Sequence, residues 1–203
     1  KDDIKGGAIY AEYRTDDARL TIEIMKMASS NKADVINYVG VTDFVYEGDQ
    51  ISGAKVEDQF TSRTFIVRAK AIVSAAGPWV DELRSIDGSL SGKRLHLTKG
   101  VHLVFAHETF PVRQAIYFDV EDGRMVFAIP RGRVTYVGTT DTNYEGNKDQ
   151  VFTTLHDAEY LIKGINSTFA GVKISLHDIE SSWAGLRPLI HEDGKDPSEL
   201  SRK

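Results

Sequence analysis

The stretch Ile72-Val73-Ser74-Ala75-Ala76-Gly77-Pro78-Trp79 decides the fold that the sequence predicts. Ile72 and Val73 are apolar and β-prone, whereas the four residues after them carry almost no side-chain bulk. A backbone with so little bulk lets another group come close to the main chain. Pro78 fixes φ for a first helical turn, and the residues from Trp79 to Leu83 are typical of a short helix. The stretch therefore predicts a buried strand, a small-residue turn and a helix start.

This arrangement has two interpretations that the stretch alone leaves open. Proteins of the α/β class hold flat or phosphorylated cofactors at such turns, at the carboxyl ends of strands. The alternative is a tight corner between a strand and a helix that binds nothing. The choice between a cofactor site and a plain corner depends on motifs elsewhere in the chain.

Upstream of this stretch, the sequence predicts an opening strand over Gly7–Tyr13 and a helix capped by Asp16 and Asp17. The helix has an apolar face that we expect to be buried, formed by Leu20, Ile24, Met27 and Ala28. Three strands then form a meander that leads into the small-residue turn, with predicted ranges 34–45, 51–58 and 64–73.

Downstream, the pattern changes to short strands separated by tight turns, which predicts an antiparallel sheet. A helix is predicted over Thr154–Asn166 and a last strand over Val172–Trp183. The strands of the sheet have predicted ranges 99–106, 115–120, 124–129 and 133–139. The fold class is therefore α+β or α/β, with a meander and helices followed by a second, antiparallel sheet.

Composition excludes several classes of function. The net charge of −5 argues against nucleic-acid binding, because no basic excess is available to displace counterions from phosphates. The sequence contains no cysteine, which excludes disulfides, thiolate metal sites and cysteine nucleophiles. No histidine pair has metal-ligand spacing, so we expect no metal site. No apolar stretch approaches the roughly 20 residues of a transmembrane helix.

Three further clusters are candidates for a site. His102 lies in a predicted strand and shares a face with Gly100 and Val104, so it points either into a core or into a lined cavity. Thr139 belongs to Gly138–Thr142, where hydroxyls and a carboxylate end a strand, either as a turn or as a polar rim. Arg187 follows a glycine and precedes a proline that restricts its backbone, and a surface salt bridge is its alternative role.

Taken together, these clusters resemble the flavin-dependent glycerol-3-phosphate dehydrogenases, relatives of the D-amino-acid oxidase group. The motifs that carry the resemblance appear in the family's order and span nearly the whole chain. They are Asp16–Leu20, Ala75–Val80, Thr98–Val104, Gly138–Asp141 and Ser182–Leu189. The resemblance implies an internal segment of a longer protein. The family's glycine-rich FAD pyrophosphate loop would lie upstream of it and a C-terminal domain downstream.

The resemblance also implies a domain organisation. Residues 1–14 would form an edge strand of a substrate domain, residues 15–92 part of an FAD-binding domain made of the β-meander and helices, and residues 93–183 the antiparallel-sheet substrate domain covered by helices. Residues 184–203 would return towards the FAD domain and end in a polar tail.

The site residues implied by the resemblance fall into two groups. His102 and Arg187 would be catalytic and would also bind substrate, together with Thr139. His102 is favoured as acceptor of the hydroxyl proton, because an arginine resists deprotonation. The residues that would contact FAD are Val41, Ala75, Ala76, Gly77, Trp79 and Gly185.

The implied reaction is oxidation of sn-glycerol 3-phosphate to dihydroxyacetone phosphate, with hydride transfer to FAD and electrons passed to quinone. The alternatives are a glycerol-3-phosphate oxidase that passes electrons to oxygen, a related enzyme of amino or hydroxy acids, and a non-catalytic binding module. We expect the isolated segment to be colourless and inactive. The expected location is cytoplasmic, and any peripheral contact with the cytoplasmic membrane would be made through segments outside this chain.

Overall fold

The structure is a computed structural model that describes residues 6–191. The chain divides after Ser74 into two compact units. The smaller unit ends at Ser74 and the larger one begins at Ala75. The two units are described separately.

The smaller unit begins with helix α1, Asp17–Ser30. Asp16 is its N-cap, as predicted, and its carboxylate accepts a hydrogen bond of 3.1 Å from the Arg19 N–H. The apolar face expected to be buried is instead exposed; Met27, for example, is 65% exposed. The sequence period identified the helix correctly, but burial needs a packing partner, which this unit does not provide.

Three antiparallel strands follow α1 and form the predicted meander, in the order β1-β2-β3. Their bounds are Val39–Glu47, Gln50–Asp58 and Thr64–Arg68. The β2 strand lies between the other two, and its residues Ala54 and Val56 are buried. Gly53 is required in β2, because a Cβ there would lie 2.6 Å from the Val67 carbonyl oxygen on β3.

The strand predicted over Ile72 and Val73 is absent, which corrects the prediction made from the deciding stretch. β3 ends at Arg68, the residue that pairs with Gly53, and residues 71–76 are neither helix nor strand. Val73 is 88% exposed. Because a buried strand needs a neighbouring strand to take its hydrogen bonds, β-prone residues alone did not make one here. The helix start is confirmed, with Pro78 in the first turn of a 3₁₀ helix.

The larger unit starts with that 3₁₀ helix, Gly77–Trp79, and the short helix α2, Val80–Ile86. Its six strands form an antiparallel sheet in the order β5-β6-β7-β4-β8, with β9 also paired to β4. Helix α3, predicted over Thr154–Asn166, occupies Leu155–Thr168 with Thr154 as its N-cap, and a 3₁₀ turn, Leu176–Asp178, precedes β9. The strands β4 to β9 are Leu95–Ala106, Ile116–Asp119, Met125–Arg131, Val134–Gly138, Thr142–Asn143 and Ile179–Ile190.

Strand β4 is the centre of this sheet. The β9 strand pairs with it along positions 95–105, so β7 and β8 must share its other edge. β7 pairs with positions 102–106 and β8 with positions 98 and 99, which leaves a gap opposite Gly100 and Val101. Residues 139–141 lie in that gap, between β7 and β8.

One face of β4 forms the hydrophobic core with α3. Alternate residues of a strand point to the same face, and Val101, Leu103 and Phe105 are all fully buried. They share one cluster with Leu161 and Ile165 of α3, which are also fully buried. The sheet is therefore covered on this side by the helix, as predicted for the second sheet.

Lys99 lies on the same face of β4 and forms a buried ion pair with Asp157 on α3. The Lys99 Nζ atom lies 2.5 Å from Asp157 Oδ2. The same carboxylate accepts hydrogen bonds from the Thr154 N–H (2.8 Å) and hydroxyl (2.6 Å), which completes a capping box. Burial opposes the charge of Asp157, but the hydrogen bonds from Lys99 and Thr154 outweigh it and lower its pKa.

One further predicted strand is shifted along the chain, and another is not observed among the described residues. The last strand, predicted over Val172–Trp183, occupies Ile179–Ile190, because its hydrogen-bond partners are the residues of β4 and not the apolar residues before it. The opening strand predicted within residues 1–14 is not observed: the described residues 6–14 are exposed and form no regular element.

The compact units also differ from the predicted domain boundaries. Residues 75–92 group with the larger unit, and residues 184–190 belong to the same strand as residues 179–183. Residues 192–203, predicted as a polar tail, lie outside the described residues. The assignment of the parts to FAD and substrate binding stays a prediction.

We expect Lys99→Met to lower the free energy of unfolding of the larger unit by about 3–5 kcal/mol, since it leaves the Asp157 carboxylate buried without its cation. Urea unfolding of the wild-type chain and the variant measures this. The matched control is the exposed ion pair between Lys163 of α3 and Glu121. Lys163→Met should change the free energy of unfolding little. An equal effect of the two substitutions would contradict the role given to the buried pair.

Candidate functional site

The candidate site lies on the face of the sheet opposite α3. The register of the strands places His102 of β4 between Gly138 of β7 and Trp183 of β9. Two positions along β4, Gly100 lies opposite Gly185 of β9. The predicted shared face of Gly100 and His102 is thus confirmed, and it faces away from the helix-covered core.

Arg187 lies across the glycine at position 100. A Cβ on Gly100 would be 2.7 Å from Arg187 Nη1, 2.8 Å from Nη2 and 2.8 Å from Thr139 Oγ1. Only a residue without a side chain leaves room for the guanidinium and the hydroxyl here. The absence of a side chain at Gly100 therefore provides the space that the Arg187 guanidinium occupies.

The segment between β7 and β8 holds the guanidinium of Arg187 at three oxygen atoms. Nη2 donates to Thr139 Oγ1 (3.0 Å), and Nη1 donates to the Thr140 carbonyl (3.2 Å) and to Asp141 Oδ1 (3.2 Å). Arg187 and Asp141 form a partly exposed ion pair. The predicted cluster at Gly138–Thr142 and the predicted cation thus meet in one site.

Thr140 closes the gap in the sheet with its side chain. Its hydroxyl oxygen accepts from the Val101 N–H (3.0 Å) and donates to the Lys99 carbonyl (3.2 Å). These are the two backbone groups that flank Gly100, and a continuous strand would have paired them. The buried hydroxyl therefore takes the place of backbone hydrogen bonds and fixes the residues that hold Arg187.

The imidazole of His102 is held by aromatic rings. It stacks on Trp183 with ring centroids 4.6 Å apart and an angle of 9° between the planes. Phe127 and Tyr136 are tilted against it, at 5.5 and 6.5 Å. On the other side the ring lies over Gly138, where a Cβ would be 2.8 Å from His102 Nε2.

Burial and the neighbouring Arg187 lower the pKa of His102 to about 4. Both causes oppose the imidazolium form, since burial removes hydration and the guanidinium repels a second cation. The ring is therefore neutral near pH 7 and has a nitrogen lone pair available to accept a proton. The proton-acceptor role of His102 stays a prediction.

The residues predicted to contact FAD are distributed over both units. Gly185 lies beside the site, and a Cβ there would meet nothing within 4 Å. Gly77 and Trp79 lie in the 3₁₀ helix next to β9, directly after Ala75 and Ala76. Val41 lies in β1 of the smaller unit, half exposed. Gly77 has a positive φ of 50°, which favours glycine, with open space where a side chain would be.

The structure brings together His102, Thr139, Arg187 and Gly185, which the sequence had singled out. The sequence reasoning missed the aromatic rings around His102, which are Trp183, Phe127 and Tyr136, and it gave Asp141 no role of its own within the predicted cluster. Trp183 and Asp141 lie inside motifs quoted for the resemblance, but strand register, which the sequence did not supply, was needed to place them beside His102 and Arg187.

Two other kinds of site are absent from the described residues. Residues 6–191 contain no group of three or more His, Cys, Asp or Glu side chains that could hold a metal ion. None of the described helices is both long and apolar enough to cross a membrane.

Comparison with known proteins finds a matching family and relatives of known name. The sequence matches the family described as DAO, FAD dependent oxidoreductase, over residues 1–199. It is 57% identical over 203 residues to the aerobic glycerol-3-phosphate dehydrogenase of Bacillus subtilis (strain 168). It is 55% identical over 205 residues to the enzyme of the same name from Staphylococcus haemolyticus (strain JCSC1435). Both matches cover 100% of this chain and 37% of the relative, so the chain spans just over a third of their length.

Two solved structures of named enzymes are similar to this chain in fold. The glycerol-3-phosphate dehydrogenase of Bacillus halodurans, solved with FAD, superposes with a TM-score of 0.91 at 51% sequence identity. That match covers 95% of this chain and 39% of the other. The glycine oxidase of Bacillus cereus ATCC 14579 shares the fold at 22% identity, with a TM-score of 0.63 over 84% of this chain and 42% of the other.

We expect Gly100→Ala to displace the Arg187 guanidinium, since the new Cβ would need its contacts to lengthen from 2.7 Å to at least 3.4 Å. A crystal structure of the variant would measure the shift. Gly185→Ala, at the position opposite on β9, is the matched control and should leave Arg187 in place. An unmoved guanidinium in Gly100→Ala, still bonded to Thr139 and Asp141, would show that the glycine does not set its position.

We expect protonation of His102 to destabilise the larger unit. The pKa is 6.5 for a free histidine and about 4 in the fold, so the unfolded chain binds more protons between these values. Stability is therefore lost as the pH falls below 6.5. Allowing for partial exposure, the wild type should lose about 1 kcal/mol more than His102→Gln between pH 7 and pH 5. Urea unfolding at both pH values tests this, and equal losses would contradict the lowered pKa.

Proposed function

Because the chain belongs to the FAD dependent oxidoreductase (DAO) family, we propose that it is a segment of an FAD-dependent glycerol-3-phosphate dehydrogenase. The full-length enzyme would oxidise sn-glycerol 3-phosphate to dihydroxyacetone phosphate. The observation that carries this proposal is the pair of His102 and Arg187 on the face of the sheet opposite α3, a neutral imidazole beside a fixed cation. Named relatives 57% and 55% identical support the substrate.

The residues present suit a flat cofactor next to this pair. Gly185 leaves the sheet surface without a side chain and with nothing within 4 Å of a Cβ position. Gly77 offers a second such position in the turn that lies next to β9. A flavin ring needs this kind of side-chain-free backbone to approach within van der Waals distance. We propose Gly185, Ala75, Ala76, Gly77 and Trp79, with Val41 of the smaller unit, as contacts of FAD.

FAD, when bound, would supply the electron sink that takes the hydride from C2 of the substrate. The chain's own residues would manage the proton and the charge. His102 would accept the proton of the C2 hydroxyl through the lone pair of its neutral ring. Its low pKa, which comes first from burial and then from repulsion by Arg187, makes it a weak base, and an anionic substrate beside Arg187 would offset the second of these causes.

Arg187 would bind the substrate and stabilise negative charge. Its guanidinium is held on Gly100 by Thr139, Thr140 and Asp141, so it loses little freedom when an anion binds. A pre-positioned cation stabilises a developing alkoxide or an anionic group more than a mobile one does. Thr139, whose hydroxyl bonds Arg187, completes the proposed substrate-binding set.

We further propose quinone as the electron acceptor and a cytoplasmic location, with peripheral membrane contact made outside this chain. The word aerobic in the names of the relatives and the absence of cysteine are in keeping with these assignments. We propose that the isolated 203 residues bind no FAD and are inactive, because the predicted pyrophosphate loop is not among them. A yellow preparation with a flavin spectrum would overturn this last point.

Anaerobic addition of sn-glycerol 3-phosphate to the full-length protein tests the function. We expect the oxidised-flavin absorbance at about 450 nm to bleach. In the same experiment His102→Ala should slow bleaching by about 100-fold, the usual scale for loss of an acid–base group. Arg187→Met should lower substrate affinity or rate strongly while FAD is retained.

Three outcomes would change the proposal. A flavin that stays oxidised would exclude this substrate, and amino or hydroxy acids would be tried next. Unchanged bleaching in His102→Ala would remove His102 from the mechanism. Oxygen consumption without added quinone, with release of peroxide, would identify an oxidase in place of a dehydrogenase.

A further inference from the structure

No hydrogen bond at Nδ1 orients His102 within the part of the chain that the structure describes. Its Nδ1 atom is buried and has no hydrogen-bond partner among the described residues. Imidazoles that act as bases are commonly oriented by an acceptor bonded to the second ring nitrogen. Some other contact must therefore set the plane of this ring.

The parallel stack with Trp183 is the contact best suited to do so. Its centroid distance of 4.6 Å is the shortest of the three aromatic contacts of His102, and its planes are nearly parallel at 9°. Trp183 stands directly opposite His102 on the neighbouring strand, where cross-strand side chains meet most closely. The Trp183 ring also contacts the ring of Tyr136, with the two ring centroids 5.6 Å apart.

The opposite side of the ring is bounded by backbone. A Cβ at Gly138 would collide with the imidazole, so the ring lies directly over that glycine. Rotation about the Cβ–Cγ bond of His102 would drive ring atoms into this backbone on one side and into the indole on the other. The two neighbours thus fix the plane of the ring.

We propose that Trp183 is a positioning residue, which holds the His102 imidazole by stacking in the orientation needed to accept the substrate's hydroxyl proton. This inference rests on the proposed function of His102. Trp183 remains 46% exposed, so its ring contributes little to the core, and its removal acts mainly on the histidine.

The full-length enzyme with bound FAD tests this by a double-mutant cycle on the anaerobic rate of flavin reduction by sn-glycerol 3-phosphate. Trp183→Leu should slow this rate by about 10- to 100-fold, the scale expected when a reacting group is misplaced. The Michaelis constant and FAD content should stay unchanged. Trp183→Phe, which keeps a stacking ring, should restore most of the rate.

The decisive comparison uses the His102→Ala background. A residue that acts only through His102 has no further effect once the imidazole is absent, so adding Trp183→Leu should leave the rate of His102→Ala unchanged. A further slowing in that background would overturn the inference and place Trp183 in direct contact with substrate or cofactor. A normal rate in His102→Ala alone would instead remove His102 from the mechanism, and this inference with it, whereas a wild-type flavin that stays oxidised would refute the proposed function.

Tyr117→Leu is the matched control. Tyr117 is another half-exposed aromatic residue of the same sheet, whose ring packs on Phe127 at 5.9 Å and not on His102. Its substitution should leave the rate within about threefold of wild type, as for surface changes remote from the reacting groups. An equal slowing by Tyr117→Leu and Trp183→Leu would overturn the specific role of Trp183.

Discussion

The larger unit depends on the strict alternation of side chains along β4. Every second residue from Lys99 to Phe105 points to α3 and is buried, and the residues between them face the other side. The first set contributes the hydrophobic core and one ion pair, and the second contributes Gly100 and His102. A shift of one residue in register would exchange the two sets and destroy core and site together. Stability and function are thus coupled through one strand.

The gap between β7 and β8 also follows from the way β4 is paired. A continuous strand there would have used the backbone groups of Lys99 and Val101, which flank Gly100. Because Thr140 bonds both groups with its hydroxyl, the main chain of residues 139–141 is free to turn its oxygen atoms to Arg187. The irregular segment therefore leaves neither of these two backbone groups unpaired, and its oxygen atoms hold the guanidinium of Arg187 in place.

Charge in the site is arranged asymmetrically. Asp141 neutralises part of the charge of Arg187. His102 is surrounded by aromatic rings, and Arg187 is the charged residue that, together with burial, lowers its pKa. The cation therefore persists while the imidazole stays neutral, two states suited to binding an anion and accepting a proton. On the helix side, Lys99 and Asp157 neutralise each other and contribute no net charge beneath the sheet.

The sequence by itself determined the classes of element and most of the site residues. Helix periodicity located α1 and α3, with a predicted cap for α1, turn residues located the meander, and ordered motifs singled out His102, Thr139, Arg187 and Gly185. Only the tertiary structure decided which of these meet, because cross-strand neighbours depend on register and not on sequence distance. The strand predicted at Ile72 and Val73 did not form, because β-prone residues make a strand only where a neighbouring strand takes their hydrogen bonds. The stack of Trp183 on His102 was not predicted, because the register that brings two strands together cannot be deduced from either residue alone.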